Sequence, residues 1–247
     1  MINNYNIYQY TKKERFQYFM QGALIGVIIG FLFYSSVLGI MLLSLYGLFY
    51  VRNKKKQLIE DRKWQLNLEF RDGLASVSAA LSAGYSVENA FVQAVKDLKL
   101  MYSADALIVG EFEGIVYQIH MNRTVEDILK NLADRSCVED IANFAEVFIT
   151  AKRTGGDIIK IIRSTGNTIG DKIEVKREIL TLITAKKFES NIMSLIPICI
   201  ILYLRIFSPG FLDPLYHNLF GFIFMSILLV IYYVVYRLAQ KIMSIEV

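Results

Sequence analysis

The chain has 247 residues, 54% of them hydrophobic and 20% charged, with 27 Lys and Arg against 23 Asp and Glu and a net charge of +4. Its mean hydropathy of +0.39 is high for a purely soluble protein of this size. Of the two cysteines Cys137 is expected in the cytosol and Cys199 in a membrane span, and His120 and His217, the only histidines, are expected on opposite sides of the membrane, which argues against a disulfide and against a zinc site.

The apolar residues are unevenly placed. Phe16 through Val51 gives 36 residues without a charge, Ser190 through Leu204 gives 15 and Pro214 through Tyr236 gives 23, whereas Arg52 through Glu189 carries 21 basic and 20 acidic residues. This predicts membrane segments at both ends and a charged middle. As one helix the first run would reach ~54 Å, against a hydrocarbon core of ~30 Å, so it is read as two spans turning near Tyr34-Ser35-Ser36. A cleaved signal peptide would carry an apolar run of only ~7–15 residues. Lys12, Lys13 and Arg15 precede the run, and Arg52, Lys54, Lys55 and Lys56 follow it. The positive-inside rule puts both clusters in the cytoplasm. Residues 1–15 are then a cytosolic segment, 16–51 a transmembrane hairpin, and 52–69 a basic linker and helix start.

The middle, 70–190, reads as helices throughout. Phe70, Leu74, Val77 and Leu81 recur at helical spacing until Gly84 stops them. Ser86 is the expected N-cap of a second helix striped by Val87, Ala90, Phe91, Ala94, Val95 and Leu98. Ser103 is the expected cap of a third, over Leu107, Ile108, Phe112, Ile115 and Ile119. Thr124 and Asp127 resemble a capping box opening a fourth helix through Ile128, Leu129 and Leu132. A fifth runs from about Glu139 to Gly155-Gly156, where a C′ glycine ends it and Asp157 caps the sixth. That last helix meets no proline or glycine pair until the third span, although Gly166 and Gly170 weaken it by roughly 1 kcal/mol each.

At the C-terminus, Lys186 and Lys187 precede a third span (191–207), residues 208–217 form an external turn holding Pro209 and Pro214, and a fourth span (218–236) leads to a cytosolic tail (237–247) with Arg237 and Lys241. Arg205 is an intramembrane charge, by default a functional candidate, but near the span's end it reaches the headgroups; the latter reading is preferred. The expected fold is all-α: a cytosolic antiparallel six-helix bundle flanked by two transmembrane helical hairpins.

"LSAGYSVENAF", "NRTVEDILKNLADRS" and "AKRTGGDIIKIIRSTGNTI", followed by two C-terminal spans, resemble the type II secretion system F domain. Within it they resemble the TadB-like platform proteins of tight-adherence (type IVc) pili. The resemblance covers about residues 70–240. It is carried by Ala83, Gly84, Ser86 and Ala90; by Glu111; by Leu129, Leu132 and Arg135; and by Gly155, Gly156, Asp157 and Ile158. Asn122 stands where family members commonly have Gly, and Asn tolerates the left-handed backbone better than other non-Gly residues. One copy of the domain is present, where many relatives carry two. The resemblance implies an inner-membrane platform that couples a hexameric secretion ATPase to extraction of prepilin subunits from the lipid bilayer. It also implies a second F-domain platform protein and an oligomer.

Chemistry of the chain's own is not expected. The "TGGDIIK" glycines lack the G-x-x-x-x-G-K-[ST] pattern of a nucleotide loop. Glu111 and Glu113 are weak candidates for a divalent cation, which wants several oxygen ligands; a solvated or salt-bridged face is the preferred reading. Asn122-Arg123-Thr124 fits a glycosylation acceptor but is better read as a corner and a cap. The middle's balance of 21 minus 20, or +1, argues against nucleic acid. Lys152, Arg153 and Lys160 beside the glycines are a candidate contact for an acidic partner, each singly better read as a solvated helix end. The rival function is a small transporter or channel with a cytosolic helical regulatory domain, disfavoured because the spans hold almost no mid-membrane ionisable groups.

Overall fold

Ten helices make up the regular structure of a computed structural model that describes residues 4–8, 10–34, 37–208, 210–216 and 218–243, and no strand occurs among these residues. They are α1 (Lys12–Tyr34), α2 (Val37–Ser44), α3 (Tyr46–Ser82), α4 (Val87–Met101), α5 (Leu107–His120), α6 (Val125–Ser136), α7 (Glu139–Thr154), α8 (Ile158–Phe207), α9 (Asp213–Tyr216) and α10 (Leu219–Met243). The protein is all-α. Two compact units divide it: Met1–Gln9 with Lys56–Val175, and Tyr10–Lys55 with Lys176–Val247.

The first unit is organised by apolar stripes at helical spacing. Leu66, Phe70, Leu74 and Val77 of α3 pack with Phe91 and Leu98 of α4, Phe112 and Ile115 of α5, Ile128 and Leu132 of α6, Phe144 and Phe148 of α7, and Ile162, Ile169 and Ile173 of α8. The aromatic rings meet edge-on or tilted, Phe70 with Phe144 at 5.5 Å and Phe91 with Phe112 at 5.6 Å between centroids, as the ring quadrupole favours. α8 runs antiparallel to α3, since Arg163 donates to Ser82 Oγ, Gly166 lies against Leu74, and Gly170 lies against Arg71. The stretch 52–69 is helical throughout, and its Leu66, Asn67 and Glu69 are already buried.

Local chemistry sets most of the ends. Ser86 Oγ accepts the Asn89 N–H, and Asp157 Oδ1 accepts that of Lys160. Thr124 Oγ1 accepts the Asp127 N–H and donates to the Asp127 carboxylate at 2.7 Å, so the shorter Asp closes its box onto the hydroxyl instead of the backbone. Gly84 (φ 91), Asn122 (φ 61), Cys137 (φ 50) and Gly155 (φ 74) take the left-handed backbone after α3, α5, α6 and α7. Ser103 does not cap α5. The helix begins at Leu107, its N-cap Ala106 offers no side-chain acceptor, and the buried Glu69 of α3 takes the Ile108 N–H at 2.9 Å instead.

In the second unit α1 packs antiparallel to α2 and the start of α3. A Cβ on Gly22 would fall 2.8 Å from Gly47 Cα, one on Gly26 would collide with the Leu43 carbonyl, and one on Gly47 would meet the Phe19 carbonyl at 2.9 Å. Glycines let the two backbones approach this closely, the small-residue packing of membrane helices. Leu32, Phe33 and Met225 form an apolar cluster with Ile198, Ile201 and Leu215.

Among the described residues three helices are long and apolar enough to cross a membrane: Lys12–Tyr34, Phe220–Ile242 and a window within Ile158–Phe207. The second span expected within 16–51 is not one such helix. α2 has eight residues, a turn falls at Leu45, and α3 then runs on into charged sequence. Ser35, Ser36, Pro209, His217 and the tail beyond residue 243 lie outside the described residues, so the first expected turn and part of the second do too.

Candidate functional site

Two groups of candidate residues emerge. The first gathers at helix ends. α6 and α7 are consecutive antiparallel helices, so the start of one and the end of the other lie together, and Lys152 Nζ donates to Glu126 Oε2 at 2.8 Å. Between them opens a cleft of about 440 Å³ whose lining includes Glu126, Lys130, Lys152 and Arg153. Burial alone would raise the Glu126 carboxyl. The Lys152 hydrogen bond, its own backbone amide and the Lys152 charge outweigh that and hold it below its usual value. Lys152 is therefore engaged within the chain, one cation of the expected basic trio already neutralised.

At the corner that follows, the left-handed Gly155 ends α7 and the Gly156 N–H donates to the Ala151 carbonyl at 2.8 Å, closing the last turn. Gly156 itself needs no special backbone, and a Cβ there would meet Ala151 at an ordinary 3.5 Å. Asp157 then begins α8. The corner is made by Gly155 and Asp157, not by the pair of glycines.

The second group is buried. Arg135, near the end of α6, grips Glu111 of α5 through two hydrogen bonds, Nη2 to Oε2 at 2.9 Å and Nη1 to Oε1 at 3.2 Å, while its Nε donates to Asn131 Oδ1 at 2.8 Å. Tyr5, only 1% exposed, completes the cluster from the N-terminal segment. Its hydroxyl donates to Glu111 Oε1 at 2.8 Å, its N–H donates to the Arg135 carbonyl at 3.1 Å, and its ring lies under the Arg62 guanidinium at 4.9 Å. Burial first, then the Glu111 charge, push the Tyr5 phenol far above its ordinary value, so it stays a protonated donor. Removing either partner of such a buried ion pair costs about 3–5 kcal/mol.

The two carboxylates of the cation candidate have separate partners. Glu111 and Glu113 are two positions apart on α5 and face different neighbours: Glu111 the Arg135–Tyr5 pocket, Glu113 the half-exposed Lys99 at 2.6 Å. Among the described residues no group of three or more His, Cys, Asp or Glu side chains is placed to hold a metal.

Elsewhere, buried or half-buried polar groups act as ties between helices. Asp140 of α7 accepts from Asn67 of α3 at 2.8 Å and from Lys172 of α8. The Tyr102 hydroxyl donates to Asp72, and burial followed by that hydrogen bond pushes its pKa up to about 12. In the second unit, Arg205 donates to the Phe31 carbonyl and lies 3.9 Å from the Phe31 ring centroid, while the Tyr216 hydroxyl donates to the Leu32 carbonyl at 2.7 Å. Arg205 and Tyr216 thus satisfy carbonyls that α1 leaves free in its last turn, a role neither sequence reading of Arg205 contained. Tyr232 of α10 donates to the Ser194 carbonyl at 2.8 Å, three residues before Pro197 interrupts the hydrogen-bond ladder of α8.

Sequence reasoning singled out Glu111 and Arg135 but missed Tyr5, Arg62 and Asn131, whose polar surroundings carry no periodic signal. It also missed Gly22-x-x-x-Gly26-x-x-x-Gly30 in α1, a spacing that was there to be read. Comparison with family models, with curated proteins and with solved structures finds no match to this chain.

Proposed function

We propose that the chain is an inner-membrane platform protein of a pilus-assembly or type II secretion-like machine, a cytosolic six-helix bundle of the secretion F type flanked by two transmembrane helical hairpins. In this reading both termini face the cytosol. The protein catalyses nothing and binds no cofactor, and it works as an oligomer beside a second F-domain platform protein. It couples a hexameric secretion ATPase to extraction of prepilin subunits and their addition to a pilus. The corner around Lys152, Arg153, Gly155, Asp157 and Lys160 is the contact for an acidic ATPase surface, with Arg153 and Lys160 facing the partner and Lys152 held by Glu126.

The observation that carries the reading is α8. Ile162, Ile169 and Ile173 anchor it in the helical core, and the same helix runs on to Phe207 through an apolar stretch, with Pro197 the one proline within it and no fully buried residue. A helix resists bending and twisting along its axis, so such an element is suited to carry displacement from a soluble body into lipid. The transporter or channel reading finds less support. Two polar side chains of the apolar helices engage neighbouring helices, Tyr34 with Ser226 at 2.8 Å and Tyr232 with the Ser194 carbonyl, where a transporter would use such groups at a substrate site.

The test is a short Gly-Ser insertion between Lys186 and Lys187 in the source strain. Loss of surface pili, with the protein present at its normal level and with its normal helix content, is the expected result. Unchanged piliation overturns the coupling.

A further inference from the structure

The Glu111–Arg135 pocket has an occupant, and the occupant comes from outside the helices that build it. Residues 4–8 form neither helix nor strand; a single turn, closed by the Ile7 N–H on the Asn4 carbonyl, shapes them. Tyr5 is the fully buried side chain of this segment, and Tyr8 is half-buried. Asn4, Asn6 and Ile7 are exposed, and Asn6 adds only a surface hydrogen bond from Lys63 at 3.2 Å. The pocket recognises three features of that residue: the ring through Arg62, the hydroxyl through Glu111, and the backbone N–H through the Arg135 carbonyl.

What happens to the pocket without Tyr5 also matters. Glu111 and Arg135 keep each other through two hydrogen bonds, and Arg135 keeps Asn131. Withdrawing the tyrosine therefore leaves no buried charge unpaired, the event that makes most buried ionic sites intolerant of losing a member.

We propose that the pocket lined by Arg62, Glu111, Asn131 and Arg135 is a recognition site for a tyrosine-bearing peptide turn, and that the chain's own residues 4–8 occupy it as a removable strap. The inference stands on this geometry alone and does not depend on the platform reading.

The test uses the full-length chain in nanodiscs and a fluorescent synthetic peptide of residues 1–9. Two proteins empty the pocket, one carrying Tyr5→Ala and one lacking residues 2–8, and circular dichroism confirms that each keeps the parent's helix content. The peptide should bind both saturably and bind the unaltered chain at least about ten-fold more weakly, because the strap already fills the site there. A peptide with Tyr5→Phe should bind more weakly than the natural one, and a peptide with Tyr5→Ala should not bind. Glu111→Gln in the emptied protein should lower affinity for the natural peptide more than for the Tyr5→Phe peptide. Absence of binding to both emptied proteins overturns the proposal, as does equal binding to the emptied and unaltered chains.

Discussion

Glu69 of α3 caps α5: its carboxylate, only 4% exposed, accepts the Ile108 N–H at 2.9 Å across 39 positions of sequence. The first N–H groups of a helix have no partner within it, and the partial positive charge at that end favours an anion. Gln65 steadies the same carboxylate from one turn earlier on α3, donating at 2.9 Å. Replacing Glu69 by Ala leaves the Ile108 N–H buried and unpaired, a loss of about 1–3 kcal/mol. Glu69→Gln keeps an acceptor and loses only the charge, so it should fall between the two. Thermal unfolding of the detergent-solubilised chain, followed at 222 nm, ranks the three proteins; Glu69→Ala as stable as the parent contradicts the cap.

The glycine corner makes a sharper prediction because two neighbours should behave oppositely. Gly155 sits at φ 74 with open space around it, so an added Cβ meets no atom but must adopt the left-handed backbone, costing about 1–2 kcal/mol. Gly156 has an ordinary backbone and room for a methyl group, so alanine there should be neutral or slightly stabilising, by up to about 1 kcal/mol through the unfolded chain. Unfolding midpoints of Gly155→Ala and Gly156→Ala give the comparison directly. Equal losses at both positions would mean that the corner is built differently.

Two salt bridges between helices of the first unit, Lys172–Asp140 and Lys152–Glu126, should respond to opposite ends of the pH scale. The hydrogen bond from Lys172 to Asp140 raises the lysine above its usual 10.5, against the lowering effect of burial. Its contribution is therefore complete below that value and disappears as pH rises through the higher folded one. Glu126 titrates low because of Lys152, so its contribution is present above the unfolded carboxylate range and is lost as pH falls through the folded value. Both pairs are substantially exposed, which limits each to about 0.2–1 kcal/mol. Lys152→Met should remove the acidic dependence and Lys172→Met the alkaline one, in unfolding midpoints measured from pH 3 to 11 at low salt.

What the sequence disclosed follows the range of the interactions. Ser86, Thr124, Asp157, Gly84 and Asn122 act on backbone within a few residues of themselves, and their roles were readable from type and position. The apolar stripes were readable too, because burying one face of a helix demands their period. Glu69, Tyr5 and Arg205 were not, since their partners lie 39, 106 and 174 positions away and nothing local marks a side chain that serves a different helix. Ser103 shows the cost of that blindness: a plausible local cap was assigned where a distant carboxylate had already met the need. The second apolar segment differs from the sequence expectation in one respect, the turn at Leu45 between α2 and α3. Hydropathy counts charges and not backbone continuity, so the turn at Leu45 was invisible to it.

Glycines within helices offer the last comparison, since their cost depends wholly on what stands opposite. Gly26 of α1 faces the Leu43 carbonyl so closely that even a methyl group would overlap it, and the obstacle is backbone, which cannot turn aside. Gly110 and Gly114 of α5 face open space. Alanine should therefore stabilise the protein at positions 110 and 114, by up to about 1 kcal/mol each from helix propensity alone. At position 26 it should force α1 away from its neighbour and cost several times that gain, as overpacking typically costs 1–3 kcal/mol. Gly26→Leu should be worse than Gly26→Ala, whereas leucine at position 110 should remain harmless. Unfolding midpoints of these variants in one detergent decide the matter. If Gly26→Ala is as stable as Gly110→Ala, α1 does not pack against Leu43, and the close approach assigned to its glycines is wrong.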